Sequence, residues 1–566
     1  MLRFGRFALT FFEIAILTAL ILVTRCANYR EVLVAGNVYF TDADCYARMT
    51  RVRMCAEHPG LIVRHHFFEN YPAGTNPHTT APLDYLILAL SIPLRGFTTQ
   101  WFDLAGALIS PVFALFTGWF LWWWYKRMRF RYGWIALILY VISPILVHGA
   151  ALGRPDHQSL LILLIAIGIC ALWGWRTEIS SKWSILSGIA WSLALWISAY
   201  EPLLLLLLLL GCQLIPWRQL TLVLFHRHSP ERCSDHPSEA RTLLSSKEFK
   251  IASIIFAAIL AVAILVERRL PGLTILRPNL NFVNWAHTIG ELRPVSPLNP
   301  VWLRWAGYSI AFLPLLIAIR FWKTPNFVAT IFGARHADSS AHPPAPAPVF
   351  LFVLLLATYG LTIWQARWAY FFVIIVVIIL PALLQPIGSA VTIWAVFALA
   401  SFPILRDWDD KLWPNEAEFS RRVESRVESA ELRELSVSLR SPEVHPFLAT
   451  WWLSPPIAYW SGQPGVAGSS HESLDGIADS ARFFLADEWQ KPREIVENHK
   501  VRWVVAYDAD RTAAVSAAIL GEMVPEHALC YVLERAPAQA PRFLVFSAQN
   551  RAAKLFRVAA VAKNSR

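Results

Sequence analysis

The sequence predicts a polytopic α-helical membrane protein carrying an α/β domain at its C-terminal end, and three observations predict it. Hydrophobic residues make up 56% of the 566 and the mean hydropathy is +0.43, a load larger than one soluble core can bury. Apolar runs of roughly 17 to 25 residues recur, long enough for a hydrocarbon layer about 30 Å thick, while charged residues are only 16%. After about residue 405 the pattern turns to charged, periodic segments. An ordinary soluble enzyme is excluded. The formal charge of +11 (51 Lys and Arg against 40 Asp and Glu) is what basic cytoplasmic loops produce, so no nucleic-acid partner is assigned.

Apolar segments near 8–25, 101–125, 132–150, 158–175, 183–200, 202–217, 251–266, 301–319, 348–366, 368–386 and 388–403 give about eleven spans. The first follows Arg3 and Arg6 without a small-residue cleavage pattern, so it reads as a retained anchor with a cytoplasmic N-terminus. Residues 81–97 are apolar but short, and Pro82, Asp84 and Pro93 interrupt them. If they crossed, Lys126, Arg127, Arg129 and Arg131 would emerge outside, against the positive-inside bias. They are therefore placed along, or shallowly within, the outer leaflet. Arg176, Lys182, the basic loop 218–250 and the stretch with Arg320, Lys323 and Arg335 then fall inside. The loops 26–100, 151–157 and 267–300, and everything after 404, fall outside. Residues 218–250 and 321–346 read as cytoplasmic connections without chemistry, the second ending in AHPPAPAP.

The domain boundaries expected are 1–404 for the membrane part and 405–566 for the extracytoplasmic α/β part. In the latter, NEAEFSRRVESRVESAELREL predicts a helix, and VRWVVAYD at 501–508 a buried strand. RFLVF at 542–546 and LFRVA at 555–559 predict two more strands. The seven cysteines, at 26, 45, 55, 170, 212, 233 and 530, show no CxxC pair. Cys45 and Cys55 are the two that an outer loop would allow to pair.

The polar residues of the outer loops carry the candidate chemistry. Asp42 and Asp44 in FTDADCYARM can clasp one hard divalent cation. GRPDHQ at 153–158 offers the Asp156 carboxylate, the His157 imidazole and the weaker amide oxygen of Gln158; its plain alternative is a helix cap. Glu291 is the one acid of NWAHTIGELRP, approached through Thr288, Ile289 and Gly290. Acids at a bilayer surface are costly unless they coordinate or pair. Arg367, in WQARWAYF between Trp364 and Trp368, is either an interfacial anchor or a binder of phosphate or carboxylate. Glu201 in SAYEP reads as the polar turn of a helical hairpin, the alternative being added charge in a substrate groove. His65, His66 and His78 close the first outer loop in YPAGTNPHTTAPLDY and its flank, with His78 the one assigned to substrate.

Together these residues resemble the catalytic subunit of the membrane oligosaccharyltransferase family, whose members have the type C glycosyltransferase (GT-C) fold. FTDADCYARMTR resembles the first-loop motif, an Asp followed six residues later by Arg, which selects Asp42 and Arg48. GRPDHQ resembles the second motif, except that Gln158 stands where a metal-binding acid or His is expected. TIGE at 288–291 matches the Thr-Ile-x-Glu signature and is the most specific piece. ARWAYF at 366–371 resembles the helix with the conserved Arg, and 71–85 the loop near the lipid-linked donor. The similarity runs from about residue 8 to 510.

The resemblance implies a metal-dependent inverting glycosyltransferase that moves a sugar from a polyisoprenyl phosphate or pyrophosphate donor to an extracytoplasmic acceptor, expected to be protein. Asp42, Asp44, Asp156, His157 and Glu291 would hold Mg²⁺ or Mn²⁺, with Asp42, Glu291 and Arg367 catalytic. Arg48, His78, Thr288, Arg367, Trp451 and Trp452 would bind substrate. The departure is WWLSP at 451–455 where the family has Trp-Trp-Asp-Tyr-Gly. Leu453 cannot accept the hydrogen bond of an acceptor hydroxyl, a loss of about 1–3 kcal/mol, so a glycan or lipid acceptor is the alternative. A transporter or flippase, the alternative of another class, predicts inverted repeats, and none is visible. The layout favours a bacterial inner membrane.

Overall fold

The computed structural model describes residues 2–178, 180–214, 247–270, 280–323, 348–387 and 389–559. The connections 218–246 and 324–346, with Arg335 and Cys233, lie outside the described residues. Among the described residues five helices are long and apolar enough to cross a membrane: Phe7–Arg25, Trp101–Arg127, His157–Glu178, Lys247–Glu267 and Ala366–Leu384. The pair Ala390–Ala400 and Phe402–Leu412, bent by 51°, makes a sixth if it is one span. Shorter apolar helices are Ala81–Leu94, Gly133–Ile142, Tyr200–Cys212, Ser309–Ile319 and Val349–Trp364.

Hydropathy finds apolar runs but not the breaks within them. The run 132–150 is split at Ser143 into Gly133–Ile142 and Pro144–His148, because Pro144 has no N–H to continue the ladder. The Ser143 hydroxyl donates instead to the Trp305 carbonyl at 2.6 Å. The helix Ala369–Leu384 is apolar on every side, and all its residues are buried, as expected of the centre of a bundle. By contrast, the first helix turns Leu17, Ile21 and Arg25 fully inward and leaves Phe7, Leu9, Phe11 and Phe12 exposed, a face suited to lipid tails. Its close approach to Trp101–Arg127 needs Gly118, where any side chain would overlap Ile21. The ambiguous 81–97 stretch forms the helix Ala81–Leu94, packed against Ala43–Glu57 and Trp101–Arg127.

A short hairpin, β1 (Leu33–Val34) and β2 (Asn37–Val38), precedes the helix Ala43–Glu57. Cys45 and Cys55 are both free and sit on that one helix. Ten residues of helix separate them by about 15 Å, so the pairing considered from sequence does not form.

In the C-terminal part the charged repeat forms the helix Glu416–Ser438, capped by Asn415, whose side chain accepts from Glu418 N at 2.9 Å. The strands are β3 (Phe447–Leu448), β4 (Trp503–Ala506), β5 (Leu544–Gln549) and β6 (Lys554–Val558), in the order β3-β4-β6-β5. β3 is parallel to β4, and the other two pairings are antiparallel, with Val504 opposite Phe556. Three of the strands coincide with sequence expectations; β3, two residues long, carries no periodic signal.

The first outer loop docks on this domain. Asn70 Oδ1 accepts from Gly476 N at 3.1 Å, and Ser473 Oγ donates to Glu69 at 3.3 Å. His499 sits between the Tyr71 carbonyl and Asp479, 3.0 Å from its carboxylate. Burial lowers the His499 pKa, but the Asp479 and Tyr71 hydrogen bonds outweigh it and the net shift is upward. Burial likewise raises Asp479, and His499 and Arg482 outweigh that to bring it down. Stability from the His499 imidazolium is therefore fully present below about pH 6.5 and lost as pH rises through its raised pKa; the Asp479 share is lost in acid. His499→Gln is expected to lower the thermal midpoint more at about pH 5.5 than at about pH 8.5. Equal losses at the two pH values would contradict this.

Candidate active site

The helices and loops border an open cavity of about 1920 Å³ lined by both the membrane part and the C-terminal domain. Asp42 caps the helix Ala43–Glu57: Oδ1 accepts from Cys45 N at 3.0 Å, as an N-terminal Asp commonly does, which leaves Oδ2 to point elsewhere. Asp156 stands just before the helix His157–Glu178, its Oδ1 accepting from His157 N at 2.7 Å with His157 Nδ1 2.8 Å away. Glu291 lies in a single 3-10 turn, Gly290–Leu292, following the helix Leu280–Thr288.

The three acids, from three separate loops, meet around one guanidinium. Arg154 Nη1 is 3.1 Å from Asp42 Oδ2, and its Nη2 is 2.8 Å from Glu291 Oε1 and 3.7 Å from Asp156 Oδ2. Glu291 Oε1 also accepts from the Tyr370 hydroxyl at 3.0 Å, and Tyr370 lies 2.8 Å from His148 Nδ1. Sequence reasoning missed Arg154, Tyr370 and His148. Arg154 stands two residues before Asp156 in GRPDHQ, but loop spacing does not say which way a side chain turns. Tyr370 is hidden in an apolar run.

Three carboxylates against the one guanidinium they share leave a formal excess of two negative charges. Burial would raise Asp156, but the adjacent His157 and then Arg154 hold it well below the usual carboxylate range. Asp44 lines the cavity with its side chain exposed to it; the surrounding protein, which strips water from the carboxylate, and then Asp42 push its carboxyl up to about 7. The hard oxygen donors and the unbalanced charge fit a dication. Gln158 does not join them: with its amide nitrogen turned to Asp156 it donates to Oδ1 at 2.9 Å. Among the described residues, the three His, Cys, Asp or Glu side chains whose ligand atoms all come within 4.8 Å of one another are a different set, His78, His471 and Glu472.

The remaining sequence candidates divide. Arg48 lines the cavity but is paired with Asp84 at 2.9 Å in a buried salt bridge. Arg367 also lines it, and its guanidinium is gripped by Glu201, which is 1% exposed and accepts from Ser198 Oγ at 2.9 Å. Glu201 is thus a buried ion-pair partner, where the sequence shows only a polar turn. Thr288 Oγ1 donates to the Trp285 carbonyl at 2.7 Å. Trp451 and Trp452 line the cavity edge to face, centroids 5.8 Å apart, with Trp285 against Trp451 and Arg511 over Trp452. Both indole N–H groups are buried without a protein partner. Leu453 is buried in the main hydrophobic core. Another wall is apolar: Leu203, Leu204 and Leu207 lie along one face of the helix Tyr200–Leu214.

The fold and this site define a polytopic membrane protein of GT-C architecture. Three solved structures of the Archaeoglobus fulgidus oligosaccharyltransferase share it. The complex with an inhibitory peptide and a dolichol-phosphate superposes with a TM-score of 0.62 at 13% identity, covering 90% of this chain and 70% of that one. The form tethered to an acceptor peptide with the NVT sequon gives 0.59 at 14%, covering 90% and 70%. The complex with Zn and sulfate gives 0.56 at 13%, covering 96% and 73%. No protein-family model matches the sequence, and no curated protein does.

Proposed function

We propose that the protein transfers a sugar, with inversion, from a polyisoprenyl phosphate or pyrophosphate to an acceptor on the extracytoplasmic side of the membrane. One observation carries the reading: a single cavity joins a cluster of acids from three loops to a leucine-lined wall able to take an isoprenoid chain. The archaeal oligosaccharyltransferase of the same fold was solved with a lipid of that class, dolichol-phosphate. On this reading the membrane part acts as the catalytic domain, and residues 405–566 cover its outer face.

Asp42, Asp156 and Glu291, with Asp44 and His157 beside them, would hold Mg²⁺ or Mn²⁺, which when bound supplies Lewis-acid neutralisation of the leaving phosphate. Arg367, fixed by Glu201, reaches the donor phosphate from the cavity wall. Asp42, with Oδ1 anchored at Cys45 N and Oδ2 shared with Arg154, orients the acceptor through the remaining lone pair of Oδ2 and takes its proton as the new bond to the anomeric carbon forms. The bond to phosphate oxygen breaks with its electron pair remaining on phosphate. Tyr370 and Arg154 keep Glu291 in place. Trp451 and Trp452 present ring surface to the acceptor from the cavity wall.

A protein acceptor is the first reading. A glycan or lipid acceptor is favoured by Leu453, which puts an apolar core residue in place of the acid that would read a Ser or Thr hydroxyl. Reconstituted full-length protein, given a labelled polyisoprenyl-linked sugar, is tested against an Asn-x-Thr peptide and against membrane glycolipid. Label on the peptide supports the first reading, label on glycolipid alone the second, and label on neither contradicts transfer.

A further inference from the structure

We infer that His78, His471 and Glu472 form a second metal site, distinct from the acid cluster, for a transition dication of the Zn²⁺ class. Their ligand atoms all lie within 4.8 Å of one another. Glu472 Oε1 is 2.7 Å from His78 Nδ1 and 3.5 Å from His471 Nε2, and the two imidazole rings face each other with centroids 5.0 Å apart. The backbone supports the arrangement, since His78 N donates to Glu472 Oε1 at 2.7 Å. The Glu472 side chain is only 8% exposed, and its other oxygen, Oε2, is buried without a hydrogen-bond partner. A buried carboxylate oxygen left unpaired is costly, and a cation beside the two imidazoles satisfies it.

The donor set decides the metal. Two imidazole nitrogens and one carboxylate suit Zn²⁺ and its neighbours, whereas Mg²⁺ prefers oxygen ligands and water. The two sites of this cavity therefore select different ions. Position gives the second one a role. His78 belongs to the first outer loop and Glu472 to the C-terminal domain, 394 residues later, so an ion there cross-links the loop to the domain that covers it. His78 and His471 both line the cavity, so the coordination position that three protein ligands leave open faces it. An anionic oxygen of a bound substrate can complete the shell there.

The test uses the full-length protein in detergent, stripped with a chelator and reloaded with Zn²⁺ alone or with Co²⁺ as its spectroscopic substitute. Two variants remove ligands: His471→Ala, and Glu472→Gln, whose amide oxygen still accepts from His78 N. The unaltered protein is expected to retain about one tightly bound Zn²⁺ per chain, to show the visible absorption of nitrogen-ligated four- or five-coordinate Co²⁺, and to gain thermal stability on Zn²⁺ addition. Each variant is expected to weaken Zn²⁺ binding by more than about 100-fold, since losing even a partner behind a ligand costs 10–100-fold. Asp42→Asn is expected to leave the Co²⁺ spectrum unchanged. Zn²⁺ content and spectrum unaltered in folded Glu472→Gln, or lost in Asp42→Asn instead, would overturn the proposal. These readouts need no sugar donor, so their failure and a failure of glycosyl transfer are separate results.

Discussion

Glu291→Gln and Asp42→Asn are each expected to lower the rate of sugar transfer by about 100- to 1000-fold while the protein remains folded, the range seen when one preorganised electrostatic group is removed from a reacting centre. Both substitutions preserve shape. The amide that replaces the Asp42 carboxylate still offers an oxygen to Cys45 N at the helix start, and the amide that replaces the Glu291 carboxylate still offers one to Arg154 and Tyr370. The Asp42 and Glu291 side chains are 36% and 31% exposed, so loss of charge costs little stability there. Initial rates with a labelled lipid-linked sugar, alongside thermal midpoints, separate the two effects. Rates within a few-fold of the unaltered protein in both variants would show that the acid cluster has no part in transfer.

Arg154→Ala is expected to have the largest effect on stability. Its side chain is 8% exposed and bridges three carboxylates, one of which, Asp156, is itself only 11% exposed. Removing one partner of a buried ion pair costs about 3–5 kcal/mol because the other charge is left uncompensated; the exposure of Asp42 and Glu291 places the expected loss near the lower end. Arg154→Lys is expected to recover little, since a point ammonium cannot span the three acids as a planar guanidinium does. The same geometry predicts a rescue. With the guanidinium gone, the excess of negative charge is greater, so Mn²⁺ should raise the midpoint of Arg154→Ala by more than it raises that of the unaltered protein. A midpoint unchanged by Arg154→Ala, or an equal Mn²⁺ response in both proteins, would contradict the role given to Arg154.

The convergence of Asp42, Asp156 and Glu291 was legible in the sequence because acids beside long apolar runs are conspicuous and need a partner. The identity of that partner was not. Arg154 lies in the same hexapeptide as Asp156, and nothing in linear spacing distinguishes a side chain turned into the cluster from one turned to solvent. Tyr370 and His148 occupy apolar segments where hydropathy sees only bulk. Glu201 and Arg367 are 166 positions apart, and their pairing depends on how two helical hairpins pack. His78 was visible, but its companions His471 and Glu472 come from a domain whose docking on the outer loop no local pattern encodes. The apolar runs were legible, but among the described residues only five of the helices they form, or six with the bent pair, are long enough to cross a membrane, and their ends are set by residues such as Pro144 that interrupt a ladder without interrupting hydrophobicity. In the C-terminal domain, β4 to β6 announced themselves by β-rich composition; β3 is held by long-range pairing, with β4 on one side and Gly465 on the other.

The proposed donor site joins the acid cluster to the leucine wall. Its most direct test is an electron cryomicroscopy map of the full-length protein in lipid nanodiscs, with Mn²⁺ and a non-hydrolysable polyisoprenyl phosphonate. The expected map shows the isoprenoid chain against Leu203, Leu204 and Leu207, with the phosphonate between Arg367 and the cluster of Asp42, Asp156 and Glu291. A lipid bound with its head group on any other surface, and the cavity holding no phosphonate, would contradict it.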